Sequence, residues 1–171
     1  GLFSAVQSGR IDIALSSITV TERRLESVAF VQPYYDSAQS VTVDSDSDIS
    51  SLADLQGRVV AVDTGSTGDM WTTENAARYG IGEIRRFEGL VPAMLDVQSG
   101  RVDGYISDIP GLEYFIRDKP YFKVVQRIET GERYSMVLAQ GNPLADQVND
   151  VITELKRSGF VAELHRSWFG S

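Results

Sequence analysis

One stretch of this chain occurs twice. Residues 2–17, LFSAVQSGRIDIALSS, are matched 91 positions later by residues 93–108, AMLDVQSGRVDGYISD. Each copy reads as helix, tight turn, strand. In the first, Leu2, Phe3 and Val6 give an apolar helical face, Gly9 supplies the positive φ that ends a helix, and Ile11–Leu15 is the strand. In the second, Met94, Leu95 and Val97 form the helix, Gly100 the stop and Val102–Ile106 the strand. The period is far too long for a solenoid. Two copies therefore predict two similar α/β lobes, against the alternative that helix–glycine–strand units, common in such proteins, coincide by chance.

The remaining segments alternate in the same manner. Strands are expected at Ser40–Val43, Val59–Val62, Ile84–Phe87, Phe122–Val125 and Tyr134–Ala139. Ser51-Leu-Ala-Asp54 has capping-box spacing ahead of a short helix that stops at Gly57. Helices are expected from about Asp69 to Tyr79 and over Ile109–Arg117. Ala145, Val148, Val151, Ile152 and Leu155 keep helical spacing up to Gly159, and Phe160, Val161, Leu164 and Trp168 mark a last short helix. At 171 residues the chain can bury a substantial core. No apolar run approaches the roughly 18–20 residues of a membrane span. Gly1-Leu2-Phe3 does not read as a natural start, and the chain is expected to begin partway into something larger.

Charge and composition exclude several functions. The formal net charge of −8 argues against a basic face for nucleic acid. Cysteine is absent, which removes disulfides, thiolate chemistry and cysteine-type zinc sites. The single histidine, His165, leaves no catalytic triad or histidine-rich metal site and is expected on a helix surface or in packing. No metal or cofactor is expected.

Ligands of open α/β sheets sit beyond the carboxyl ends of the strands, and three such ends carry suitable groups. Ser16, Ser17 and Thr19 precede Thr21-Glu22-Arg23-Arg24. Hydroxyls and backbone N–H groups there suit a carboxylate, and Arg24 could grip it with a bidentate fork; alternatively Thr21 caps a helix and Arg24 is a solvated charge. Gly65-Ser66-Thr67-Gly68 lies between a strand and a helix and offers N–H groups at a positive helix end. It lacks the Lys-Ser/Thr of a nucleotide P-loop, and a plain glycine-rich turn is the competing reading. Asp108 closes the second repeat where Ser17 closes the first, and its carboxylate suits an ammonium group; before Ile109-Pro110 it also suits a helix cap. If the lobes face each other, hydroxyls and an arginine on one and an aspartate on the other describe a clasp for a zwitterionic amino acid. Trp71, Trp168, Tyr34 and Tyr35 are candidate pocket aromatics, with Trp168 expected in the core. No Gly-x-Ser-x-Gly elbow or recognisable acid/base pair points to catalysis.

The run QSGRIDIALSSITVTERRLESVAFVQPYY, followed by SLADLQGRVVAVDTGSTG, QSGRVDGYISD and LKRSGFVAELHRSWFG, resembles the bacterial extracellular solute-binding proteins of family 3, which bind polar amino acids and feed ABC importers. The resemblance runs in order along nearly the whole chain. It implies a two-lobed α/β fold of the periplasmic-binding-protein type 2 kind, with two hinge crossovers near Pro33–Ser37 and Glu132–Met136. The first lobe would be 1–37 plus 132–171 and the second 38–131, with a ligand cleft between them that closes by hinge motion. By the same resemblance Arg24 would clamp the ligand's α-carboxylate, Ser17 and Thr19 would add hydrogen bonds, and Ser16 would line the pocket. Thr67, with Ser66 beside it, would meet the carboxylate from the other lobe, and Asp108 would take the α-ammonium. Asp63 falls near the ligand side chain, where an acid would suit a cation.

Family members carry further residues ahead of the position of Gly1. The first lobe is therefore expected to be incomplete, with exposed apolar surface that invites self-association. The implied partners are a free amino acid and the membrane permease of an ABC importer, and the implied location is periplasmic or extracellular, free or as a membrane-anchored lipoprotein. Two other uses of the scaffold stand beside this one. One is a sensor domain of a membrane signalling protein. The other is a dehydratase, for which Glu113 is the candidate acid. An effector domain of a cytoplasmic regulator is disfavoured by the pairing of Arg24 with Asp108.

Overall fold

The computed structural model describes residues 1–169. The chain divides into two compact units, Gly1–Ser37 with Gly131–Ser171, and Ala38–Thr130. The first unit opens with α1 (Leu2–Gln7), β1 (Ile13–Ala14), α2 (Glu22–Leu25) and β2 (Ala29–Phe30), and the chain leaves it within β3 (Tyr35–Asp44). The second unit then runs through a 3-10 turn (Leu52–Leu55), β4 (Val59–Asp63), α3 (Thr67–Tyr79), β5 (Glu83–Phe87), α4 (Leu90–Gln98), β6 (Gly104–Asp108) and α5 (Ile109–Ile116). The chain returns along β7 (Phe122–Tyr134) and ends with β8 (Val137–Leu138), α6 (Leu144–Arg157) and α7 (Phe160–Phe169).

The second unit is built on a five-stranded sheet in the order β5-β4-β6-β3-β7, with β4 parallel to β5 and β6, and β3 antiparallel to β6. Val60 and Val62 pack on one face with Val41, Val43 and Ile106, against Trp71 and Tyr79 of α3. Ala61 and Tyr105 point the other way, onto Ala93, Met94 and Val97 of α4 and Leu112 of α5. A strand covered on both faces must be apolar throughout, which is why Val59–Val62 shows no polar alternation. Each fully buried valine, isoleucine, leucine or methionine among them contributes roughly 1.5–3 kcal/mol by leaving water. The 3-10 turn carries the capping box read from Ser51 and Asp54.

The repeat is real in its hydrogen bonds. The amides of Gly9 and Gly100 donate to Val6 and Val97, both at 3.1 Å; those of Arg10 and Arg101 donate to Ala5 and Asp96, at 3.0 and 2.9 Å; those of Ile11 and Val102 reach the same two carbonyls, at 3.3 and 3.2 Å. Ser8 and Ser99 hydroxyls donate to those carbonyls too, each at 3.3 Å. Gly9 and Gly100 adopt φ of 71° and 70°, the left-handed conformation this helix end demands. The sheet neighbours repeat as well: β1 lies antiparallel to β8 as β6 lies antiparallel to β3.

In the first unit the sheet is small, ordered β1-β8-β2 with two residues per strand. Val6, Ala14, Ile18, Val28 and Val137 form one cluster. Val31, Leu138 and Ile152 form another, against Ala145 and Val148 of α6. Gln32 ties α6 down: its amide N–H donates to Asn149 Oδ1 and its side chain donates to the Asn149 carbonyl and to Thr153 Oγ1, each at 2.7 Å.

Several elements differ from expectation. The first-repeat strand shortens to Ile13–Ala14 and the second shifts to Gly104–Asp108. β3 and β7 are much longer than the stretches expected from their apolar residues, because Ser37, Gln39, Ser40, Thr42 and Glu132 are buried polar residues that break the apolar pattern without breaking the strands. Trp168 is 60% exposed and not in the core. The cause is the orientation of α7, which turns His165 and Phe169 onto the Tyr35 ring, with centroids 5.3 and 5.5 Å away, and leaves the Phe160–Leu164–Trp168 stripe outward. Val151 is likewise exposed on α6, and Leu2, Ile13, Leu15 and Leu25 are further exposed apolar residues of this unit. Trp71, a candidate pocket residue, is half-buried and packs against the second unit's core, stacked on Tyr79.

Candidate functional site

In the second unit the carboxyl ends of β4 and β6 bring Asp63, Ser66, Thr67 and Asp108 to one end of the sheet. The turn after β4 is tightly determined. Ser66 is the N-cap of α3, its Oγ accepting from the Asp69 amide at 3.1 Å, while Asp69 Oδ2 accepts from the Gly65 amide at 3.0 Å. Arg86 of β5 then grips Asp69, its Nε donating to both carboxylate oxygens at 3.0 Å, and Thr73 Oγ1 donates to Oδ1 at 3.1 Å. Burial pushes the Asp69 carboxyl up, but the Arg86 hydrogen bond, the Gly65 N–H, the Thr73 hydroxyl and the Arg86 charge outweigh it and hold the group below the usual carboxylate range. Thr67 follows as the first residue of a 13-residue helix whose leading N–H groups have no intrahelical acceptor.

Gln39 joins the two polar ends. It lies directly opposite Asp108 in the β3–β6 ladder and is fully buried. Its Nε2 donates to Asp108 Oδ1 at 2.6 Å and to Thr67 Oγ1 at 3.2 Å. Because the Thr67 hydroxyl accepts there, its own proton remains to be donated elsewhere. Asp108 occupies the N-cap position of α5, yet its side chain makes no capping hydrogen bond; the carboxylate is engaged by Gln39 instead. Gly68 makes this approach feasible, since a Cβ there would stand 2.9 Å from Gln39 Oε1 and 3.0 Å from the Ile106 carbonyl.

Asp63 ends β4. Its Oδ2 accepts from the Tyr105 hydroxyl at 2.8 Å, while Oδ1 is buried with no hydrogen-bond partner. Burial raises the Asp63 carboxyl above the usual range; the Tyr105 hydrogen bond opposes this, and the negative charges of Asp108 and Glu88 add to it. A buried acceptor of this kind is stabilised by a cation or a strong donor.

In the first unit, Ser16 and Ser17 are exposed after β1. Ser17 has φ 41°, the one non-glycine residue of the described chain in the left-handed region, a conformation that costs energy and recurs where function fixes the backbone. Thr19 is buried and bridges to Tyr134; its hydroxyl faces Glu132 Oε2 at 3.4 Å. Thr21 caps α2, accepting from the Arg24 amide at 3.2 Å. Arg24 is nevertheless not a loose solvated charge: its Nη1 donates to the Thr19 carbonyl at 2.8 Å, and its guanidinium lies 5.2 Å from the centre of the Phe3 ring. The structure thus joins Thr19 with Arg24 in one unit, and Thr67 with Asp108 in the other. Glu113 is exposed on α5, and among the described residues no cluster of histidine and acidic side chains could hold a metal ion.

Sequence reading missed Gln39, Tyr105, Arg86, Asp69 and Glu132. For Asp69 the signal was present, because Ser66-x-x-Asp69 has the same spacing as Ser51-x-x-Asp54. For Gln39 none was, since its role depends on strand register.

Residues 1–171 match the family model described as bacterial extracellular solute-binding proteins, family 3. The chain belongs to this family, as its motifs imply. The family and its relatives are binding proteins that act outside the cytoplasm. A probable histidine-binding protein of Neisseria gonorrhoeae is 27% identical over 98% of this chain and 64% of its own length; the chain thus spans about two thirds of the curated relatives it matches. Among solved structures, an ancestral arginine-binding protein bound to arginine superposes with TM-score 0.91 at 31% identity, covering 99% of this chain and 76% of that one. The GluR0 ligand-binding core of Nostoc punctiforme, in complex with L-glutamate, gives 0.87 at 26% identity over 99% and 78%. These are two-lobed amino-acid-binding folds, and the mixed α/β architecture here matches them.

Proposed function

We propose that this protein binds a free polar amino acid outside the cytoplasm, by hinge closure on the ligand, for delivery to the permease of an ABC importer, and that it acts by binding alone, without turnover. The observation that carries the reading is the pairing, on one sheet end, of hydroxyl and N–H donors at Ser66 and Thr67 with the carboxylate of Asp108, bridged by Gln39. Donors beside an acid are what the two charged ends of an amino acid require. In this reading Arg24, Ser17 and Thr19 contribute a second hold on the α-carboxylate, Ser16 lines the pocket, and Asp108 takes the α-ammonium.

Asp63 favours a ligand with a cationic side chain, because its buried, unpartnered Oδ1 and raised pKa both respond to a nearby positive charge. The arginine- and histidine-binding relatives are in keeping with that choice. The likeness to the GluR0 ligand-binding core is in keeping with a second reading, in which the same amino-acid clasp serves as the sensor domain of a membrane signalling protein.

A thermal-shift screen of the twenty amino acids tests the proposal. A ligand at a hundredfold its Kd adds about 2.7 kcal/mol, which for a chain of this size raises Tm by about 5–10 °C. L-arginine, L-lysine or L-histidine is expected to give the largest shift. A flat response to all twenty would refute the amino-acid assignment, and a largest shift with an acidic or apolar amino acid would refute the role given to Asp63.

A further inference from the structure

Gln39 is the side chain that the recognition chemistry does not account for. It is buried without residual exposure in the middle of β3, where an apolar residue would be the cheaper choice. A primary amide has two N–H protons on one nitrogen. Here that nitrogen serves two acceptors on two different elements, Asp108 Oδ1 of β6 at 2.6 Å and Thr67 Oγ1 of α3 at 3.2 Å. The ladder register places Gln39 opposite Asp108, and Gly68 lets α3 approach closely enough for the second contact.

We infer that Gln39 is a positioning residue of the binding site, which fixes the Asp108 carboxylate and the polarity of the Thr67 hydroxyl together. By donating to Thr67 Oγ1 it obliges that hydroxyl to spend its only proton on another acceptor, the ligand carboxylate. By donating to Asp108 it holds one carboxylate oxygen and sets the direction of the other. Its amide therefore supplies the relative placement of the group for the ammonium and the group for the carboxylate, and selects a ligand that bears both on one carbon. Leucine at this position would remove the donor that Asp108 and Thr67 share. An ionised glutamate would accept from Thr67 and reverse that hydroxyl, and would repel Asp108, with Asp63 nearby as a further negative charge. A protonated glutamate regains one donor.

The inference rests on the amino-acid reading above, and the test separates the two. L-arginine binding is measured by calorimetry on the whole chain for wild type, Gln39→Leu and Gln39→Glu, each at about pH 8 and about pH 5.5, below which an ordinary glutamate begins to protonate. The ligand-free Tm of each variant reports its folding. Gln39→Leu is expected to bind about tenfold or more weakly at both pH values. Gln39→Glu is expected to be at least as weak at the higher pH and to regain about threefold or more at the lower, relative to wild type, as its acid form donates again. If Gln39→Leu fails to fold, the pH response of Gln39→Glu decides. Wild-type affinity in Gln39→Leu, or a Gln39→Glu loss that runs parallel to wild type with pH, overturns the positioning role while leaving the amino-acid reading intact. Failure of wild type to bind L-arginine or any ligand found in the amino-acid screen overturns both.

Discussion

Arg24→Ala is expected to weaken amino-acid binding by roughly 2–5 kcal/mol, about 30-fold or more in Kd, with little change in the ligand-free Tm. The size follows from how the side chain is held. Thr21 fixes the start of α2, the Thr19 carbonyl takes one guanidinium donor at 2.8 Å, and the Phe3 ring lies 5.2 Å from its charge centre. The long side chain is thereby ordered before ligand arrives, so little rotamer entropy is lost on binding. A guanidinium presents its N–H donors as a planar fork that matches the two oxygens of a carboxylate, the geometry of a bidentate grip. Arg24→Lys should recover little, because an ammonium cannot hold the Thr19 carbonyl and a carboxylate in the same fork. Titration calorimetry checks both variants. Unchanged affinity in Arg24→Ala would remove this residue from the site.

Asp108→Asn is expected to cost a comparable 2–5 kcal/mol, for a different reason. Asparagine keeps the size and an acceptor oxygen, so the 2.6 Å hydrogen bond from Gln39 and the β3–β6 register can persist. What disappears is the negative charge that the proposed site sets opposite the ligand's ammonium, and the new amide group offers N–H donors where an ammonium needs an acceptor. The ligand-free fold should survive, since the side chain does not cap α5 and Pro110 already favours that helix start. Calorimetry with the ligand identified by the thermal screen checks it; a loss below about threefold would place the ammonium elsewhere.

Much of this was legible in the sequence, for specific reasons. The repeat could be read because glycine adopts the left-handed turn with no Cβ penalty, so QSGR marks the same helix end twice, and the two ends share their hydrogen bonds. The strand expected at Val59–Val62, which runs one residue further to Asp63, was legible because burial on both faces forces continuous apolar character. Thr67 and Asp108 could be proposed for the site because Thr67 opens α3 and Asp108 ends β6 just before α5. What could not be read is what depends on register or on the direction of a helix face. Gln39 meets Asp108 only because β3 and β6 align those two residues, and nothing local in Ala38-Gln39-Ser40 announces it. Glu132 looks like a surface charge until β7 brings it beside Thr19. Trp168 has core spacing, but spacing does not tell which face of α7 turns to Tyr35.

The central claim is that the protein grips the two charged ends of a free amino acid. Calorimetric titration of the wild-type chain with the best ligand of the screen, its N-acetyl derivative and its methyl ester tests this most directly. The account predicts binding of the free amino acid and a loss of about 2 kcal/mol or more for each blocked form, since acetylation removes the cation meant for Asp108 and esterification removes the anion meant for Arg24 and Thr67. Equal affinity for either blocked form would contradict it.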